Sequence, residues 1–335
     1  MTTFSTVVVS VGILLAAWVG SVKPAAAQSS SLTAFYTAPV VSMAPMWIAK
    51  EAGFFKKHGL DVKLVFIASG PMGTTSILSG DVDVGIIGGF APIRAIAGGA
   101  KNLVMIGQSK NRMTGAIVGK KEIASVQDLR GKRLGIDRVG SNPDMFTQAA
   151  LARFQMDPLK DLQYIQLGSI GQGIPALKAG TIDAVSTSTP HDLFAQRLGF
   201  KVILDITAMK IPLASTVLAS ARNTVDRKQP ELTRFMRAYA EAVHYFLTNR
   251  EGTSQIITKY TKVEDRDVVA HSIESETMAV ERTLQIDPKG IELILALMSK
   301  SMPQASTVKT EEFYDSRFTN ELRDSGFLKR LWAEK

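Results

Sequence analysis

The chain has 335 residues, 45% of them hydrophobic, and 39 basic against 31 acidic side chains give a net charge of +8; that length suits about two domains, each with its own core. It contains no cysteine, which excludes disulfides, thiolate metal centres and a cysteine nucleophile. The basic residues are scattered, with nothing longer than Lys56-Lys57 or Arg130/Lys132/Arg133, so the excess reads as solvated mixed-sign surface, and no nucleic-acid-binding module is recognisable.

An apolar run over residues 7–22, then Lys23-Pro24 and Ala25-Ala26-Ala27 before Gln28, has the shape of an export signal. Residues 1–27 are therefore expected to be removed, although the n-region carries no Lys or Arg. The run is shorter than the ~20 apolar residues of a comfortable membrane span. With no cysteine for a lipid anchor, the exported protein is expected to be free in a periplasm.

The first strand is expected over 32–37, followed by a loop over 38–43 and a helix over 45–52 that Gly53 stops. A second strand runs to Ile67, and the loop 68–72 introduces a short helix that Gly80 closes with a left-handed cap. Residues 82–87 read as a buried strand, 88–92 as a turn, 93–98 as a helix and 102–108 as a fourth strand. The apolar run 113–118 is expected to cross into a second lobe. That lobe has a short helix over 125–129, strands over 134–136, 162–167, 183–186 and 200–204, and helices over 143–154, 174–179 and 192–198. A further apolar run, 212–219, is expected to cross back. From Thr224 the pattern is helical: 230–248, 252–260, 266–280 and 289–299, with Leu232, Phe235, Met236, Tyr239 and Val243 on one buried face.

The two halves of this pattern repeat. Ser69, Gly73, Gly80 and Asp83 recur at a constant offset as Ser169, Gly173, Gly180 and Asp183, with Ile67/Leu167, Ile77/Leu177 and Val82/Ile182 in register. The same offset lays strand 33–36 on 133–136 and loop 38–43 on 138–143. Strands alternating with helices imply parallel sheets with right-handed crossovers. The expected domains are 28–112 plus 213–335 for lobe one and 113–212 for lobe two.

Trp47 followed by EAGFFKKHGLDV, the turn SGP, and the phrases LSGDVDVGIIGG, SVQDLRGKRLGI and ALKAGTIDAV resemble the periplasmic substrate-binding proteins of nitrate, sulfonate and taurine type ABC importers. The likeness covers about residues 32–221 and fades into helical character beyond. It implies an α/β, two-lobe periplasmic-binding-protein type II fold: two Rossmann-like lobes joined by two crossing strands, with the C-terminal helices packed on lobe one. It further implies a monomer that binds a small-molecule ligand and meets an inner-membrane permease, with no cofactor and no metal.

Ligands of open α/β sheets bind outside the carboxyl ends of the strands. Lobe one presents Val41, Ser42, Met43, Ser69, Gly70, Gly88, Gly89 and Phe90 there; lobe two presents Gly140, Ser141, Asn142, Ser186, Thr187 and Ser188. Hydroxyls, amides and glycines dominate, groups that hold a polar solute by directed hydrogen bonds. Any one of them is equally a turn or cap residue; their shared position in equivalent loops singles them out. Relatives place a Gly-Ser or Gly-Thr pair at a helix start to receive an anionic group, which Gly140-Ser141 resembles. Here Pro143 removes one N–H and Asp144 sets a carboxylate where an anion would sit, which weakens a nitrate or sulfonate reading and leaves a neutral, zwitterionic or amide-bearing ligand open, within an expected solute class that is sulfonate, taurine-like, pyrimidine or aromatic/carboxylate. Arg112 and Arg138 are placed near the mouth.

Signals for catalysis are poor. His58, His191, His244 and His271 form no metal-ligand spacing, His191-Asp192 beside Ser188 is a local coincidence, and GSIGQG at 168–173 is no dinucleotide fingerprint. The fungal thiamine-pyrimidine synthases, which share the fold, use a cysteine-rich motif that this chain lacks. A ligand-sensing module that signals to a membrane partner is a third reading.

Overall fold

Two five-stranded sheets carry the chain in this computed structural model, which describes residues 1–2, 30–299 and 302–333. Apart from its first two residues, the expected leader lies outside the described residues. In chain order the strands are β1 (Ser30–Tyr36), β2 (Leu60–Phe66), β3 (Val84–Gly88), β4 (Leu103–Arg112), β5 (Ala116–Gly119), β6 (Arg133–Ile136), β7 (Gln163–Gln166), β8 (Ala184–Thr187), β9 (Lys201–Asp205) and β10 (Pro212–Ala221). The first sheet runs β2-β1-β3-β10-β4 and the second β7-β6-β8-β5-β9. In each, four strands run the same way and one strand at the crossing is antiparallel to both its neighbours: β10 in the first sheet, β5 in the second. This is the two-lobe type II fold.

The internal repeat has a structural cause. Asp83 accepts the Thr33 N–H at 2.8 Å and donates its own N–H to the Thr33 carbonyl at 2.9 Å; Asp183 does the same with Arg133 at 3.1 and 2.9 Å. Each aspartate thus ties the start of its strand to the first strand of its lobe, at the end away from the cleft. Gly80 and Gly180 cap the preceding helices at φ +82° and +72°, as the left-handed C-cap requires. Gly73 is forced by closeness: a Cβ there would lie 2.5 Å from the Phe35 ring, and one at Gly173 2.8 Å from Val185.

The chain crosses between the sheets twice, and the two passes are bonded to each other. Met113 N–H donates to the Ile211 carbonyl at 2.9 Å, and Gly115 N–H to Thr207 Oγ1 at 3.0 Å. Both passes are short and lie side by side.

The C-terminal helices cover the first sheet. Helix Gln229–Thr248 packs on helix Ala44–Glu51, and Tyr260 stacks on buried Trp47 with centroids 4.7 Å apart. Two boundaries differ from expectation for one reason. β4 runs on to Arg112, and the helix expected over 266–280 stops at Thr277, because the chain from 279 to 284 lies along β4: Asn111 N–H donates to Ala279 O, Glu281 N–H to Ser109 O and Gln108 N–H to Leu284 O, at 2.8–3.0 Å. Helix Phe90–Ala97 starts three residues before the expected 93. Helices Arg317–Asp324 and Phe327–Ala333 fall in the stretch expected to be helical to its end, though without expected bounds, and close lobe one.

Candidate functional site

The carboxyl ends of both sheets converge on one interlobe cavity of about 60 Å³, room for roughly four to six water-sized atoms at 10–15 Å³ each. Of the expected residues, Ser42, Met43, Ser69, Gly70, Gly88, Ser141, Asn142, Ser186, Thr187 and Ser188 line it. Val41, Gly89, Phe90 and Gly140 do not. Val41 uses its N–H on the Thr189 carbonyl across the cleft at 3.1 Å, and Gly89 donates to the Ser215 carbonyl at 2.9 Å, with backbone 1.8 Å from where a Cβ would sit. Phe90 opens its helix, so its ring turns into the core and meets Phe146 of lobe two edge-on at 5.9 Å; Phe146, not Phe90, faces the cavity. Gly140, at φ +80°, gives its N–H to Asp144 Oδ2 at 2.7 Å.

Three of the lining hydroxyls are idle. Ser69 Oγ, Thr187 Oγ1 and Ser215 Oγ are buried and bond to no protein atom. A buried polar group left unpaired costs about 1–3 kcal/mol, so three of them on one small cavity mark a place built to be filled. Ser69 follows β2 of the first lobe, Thr187 ends β8 of the second, and Ser215 comes from β10.

The carboxylate at the cavity is not the expected one. Asp144 folds back onto Gly140 N–H and Gln148 Nε2 (2.8 Å) and does not line the space. Asp137, which follows β6, does line it and accepts from the Ser141 hydroxyl. Burial pushes its carboxyl up to about 6, further raised by the charge of Asp144 and opposed by that Ser141 bond. Lys110 of β4 lines another part of the wall; its ammonium lies 2.5 Å from Glu276 Oε1 and also donates to Thr114 Oγ1. Both charged groups escaped the sequence reading. The offset that pairs Thr37 with Asp137 would have found Asp137, since Thr37 lines the cavity too. Lys110 had no signal, because the fourth strand was expected to end at 108. Arg112 lines a separate cleft behind the hinge, and Arg138 lines neither.

The lobes are closed on each other. Asn142, at the start of helix Asn142–Ala152, donates through Nδ2 to the Ser215 carbonyl at 2.6 Å and accepts through Oδ1 from the Phe90 N–H at 3.3 Å. His191 Nε2 meets the Pro39 carbonyl at 2.9 Å, and Asp192 Oδ1 accepts from the Leu193 N–H. Arg197 reaches Asp265 and Asp267 of the C-terminal third at 3.6 and 3.5 Å.

Two mixed sheets with a closed, hydroxyl-lined cavity between them define the class of two-lobe solute-binding proteins. Solved structures share the fold. The alkanesulfonate-binding protein SsuA from Xanthomonas axonopodis pv. citri aligns over 85% of this chain and 96% of its own, with TM-score 0.70 at 19% identity. The periplasmic nitrate-binding protein NrtA from Synechocystis PCC 6803 aligns over 90% and 89%, with TM-score 0.72 at 16% identity. In sequence, YtlA of Bacillus subtilis (strain 168), provisionally named a binding protein, is 26% identical over 289 residues, 82% of this chain and 85% of that one. The family model described as NMT1/THI5 like matches residues 41–252, and the chain belongs to that family.

Proposed function

We propose that this protein is the periplasmic solute-binding component of an ABC importer, a monomer that closes on a small molecule and presents the closed form to an inner-membrane permease. The observation that carries the reading is the set of three buried, unpartnered hydroxyls from both lobes meeting in one interlobe cavity. Ser42, Met43, Ser69, Gly70, Gly88, Ser141, Asn142, Ser186, Thr187 and Ser188, with Asp137, Lys110 and Ser215, form the ligand-binding wall in this reading. Residues 113–212 move as one lobe against 28–112 plus 213–335. Ligand contacts made only in the closed form drive that movement.

The side chains at the cavity bind rather than react in this reading; His191 Nε2 and Asp192 Oδ1 are held by backbone partners. Residues 1–27 act as the export signal; among the described residues, no helix is long and apolar enough to cross a membrane. A thermal-shift screen of the mature protein against sulfonates, amino acids, pyrimidines, aromatic acids and amines tests the function, because saturating ligand stabilises by mass action. One class is expected to raise the melting temperature and reduce the radius of gyration in solution scattering. A ligand that stabilises without compaction overturns the closure mechanism. No stabilisation by any class overturns solute capture.

A further inference from the structure

The cavity carries a charge that nothing on the protein balances. Asp137 is 6% exposed, and its hydrogen-bond donors are neutral: the Ser141 hydroxyl and the backbone N–H groups of Arg138 and Asp137 itself. Among the described residues no Lys, Arg or His forms an ion pair with it, and the charge acting on it, Asp144, has the same sign. Arg138, next in sequence, reaches instead toward Gly168, where a Cβ would lie 3.8 Å from Nη2. Across the cavity, Lys110 is already neutralised by Glu276, itself 3% exposed. One ammonium and two carboxylates leave the site one negative charge when all three are ionised.

A buried carboxylate is tolerated when it is paired or protonated. An anionic ligand entering this cavity would meet Asp137 with no free cation beside it. A nitrogen cation would supply the missing partner.

We propose that the captured solute presents a positively charged nitrogen group, of the amidinium, guanidinium or ammonium kind, to Asp137. Its remaining polar atoms go to Ser69, Thr187 and Ser215, and its size is set by the small cavity. The proposal rests on the solute-capture reading and narrows it to a ligand charge opposite to that in the names of SsuA and NrtA. Burial is the main cause of the Asp137 shift; the charged groups around it are Asp144 on the following helix, which raises it further, and the mutually paired Lys110 and Glu276 of the other lobe. A cation arriving near pH 6 drives off the proton that Asp137 partly holds, so binding releases protons; an anion would require their uptake.

The test is calorimetric titration of the mature chain at pH 6, in buffers of different ionisation heat, with acetamidinium, methylammonium, acetamide, methanesulfonate and nitrate as probes. Acetamidinium or methylammonium is expected to bind more tightly than either anion, with proton release. Asp137→Asn is expected to weaken the cation by about 10- to 100-fold, the loss of a charged hydrogen bond, and to leave acetamide within a few-fold. Tighter binding of methanesulfonate or nitrate, with proton uptake, overturns the charge assignment and leaves solute capture standing. Equal binding of cation by wild type and Asp137→Asn overturns the role of Asp137. Binding of no probe overturns the proposal, and solute capture then stands or falls on the wider screen. The wild-type comparison decides between cation and anion even where Asp137→Asn does not fold.

Discussion

Replacing Asn142 with Ala removes a clamp. Its amide bonds the Ser215 carbonyl at 2.6 Å and the Phe90 N–H at 3.3 Å, both across the cleft. Neither bond survives opening, so the substitution acts on the closed form and spares the fold of each lobe. Each neutral hydrogen bond contributes about 0.5–1.5 kcal/mol, so the pair holds the closed form by about 1–3 kcal/mol. At about 1.4 kcal/mol per decade, the closed-to-open ratio falls by roughly 5- to 150-fold. If the empty protein is mostly open, the apparent dissociation constant rises by that whole factor, because affinity scales with the fraction of the competent state. If it is mostly closed, part of the change appears instead as an expanded empty protein. Titration calorimetry and solution scattering together capture both cases. A variant with wild-type affinity and an unchanged radius of gyration would refute the clamp.

Gly88→Ala attacks the same contact from the other side: its Cβ would lie 2.4 Å from Asn142 Cγ, so it should prop the lobes apart, weakening ligand binding while scattering shows a larger particle. Asp137 and Asp192 are both raised by burial to about 6 from 3.8. A raised carboxyl contributes stability that is full below pH 4 and lost as pH climbs through 6, about 3 kcal/mol for each at roughly 1.4 per unit. Melting curves of Asp137→Asn should therefore lie above wild type at pH 8 and merge with it by pH 4; a constant gap would contradict the sign. Asp183, held well below the usual carboxylate range by Arg133 and Lys120, works the other way, losing its contribution as pH falls below 4. Asp183→Ala should lower stability by about 1–3 kcal/mol for its lost strand tie and leave ligand affinity unchanged, as calorimetry and denaturant unfolding would show.

What could be read from the sequence was what two copies of one unit do alike. Asp83 and Asp183 recur because each holds the start of a neighbouring strand, and Gly73 and Gly173 recur because each helix lies too close to its sheet for a Cβ. The loops after β1, β2, β3, β6 and β8 reach the cavity for the topological reason that strand ends face one another. Residues outside the repeat were invisible. Lys110, Ser215 and Thr216 come from β4 and β10, whose antiparallel pairing depends on the chain returning from lobe two. Phe90 was misplaced because its turn is already a helix, and the helix, not the loop, aims the ring.

The C-terminal third was expected to pack on lobe one, and it also takes part in the cleft. Helix Arg266–Thr277 supplies Glu276 to Lys110 at the cavity wall, and with Asp265 before it, Asp267 to Arg197 of lobe two. These two contacts differ in weight. The Arg197 pairs are exposed, with Arg197 at 56% and Asp267 at 77%, and pairs of that kind are worth about 0–1 kcal/mol. The Lys110–Glu276 pair is buried on both sides, and removing one partner of such a pair costs about 3–5 kcal/mol. The strong contact stays within lobe one and persists on opening; the weak one spans the lobes and breaks. Closure of the lobes then depends on the Asn142 clamp, the Val41 and His191 backbone bonds and the Phe90–Phe146 contact, while three unpaired hydroxyls and one buried carboxylate with neutral donors alone oppose it. A ligand that satisfies those four groups relieves a cost paid only when the lobes are shut, which makes closure depend on the solute.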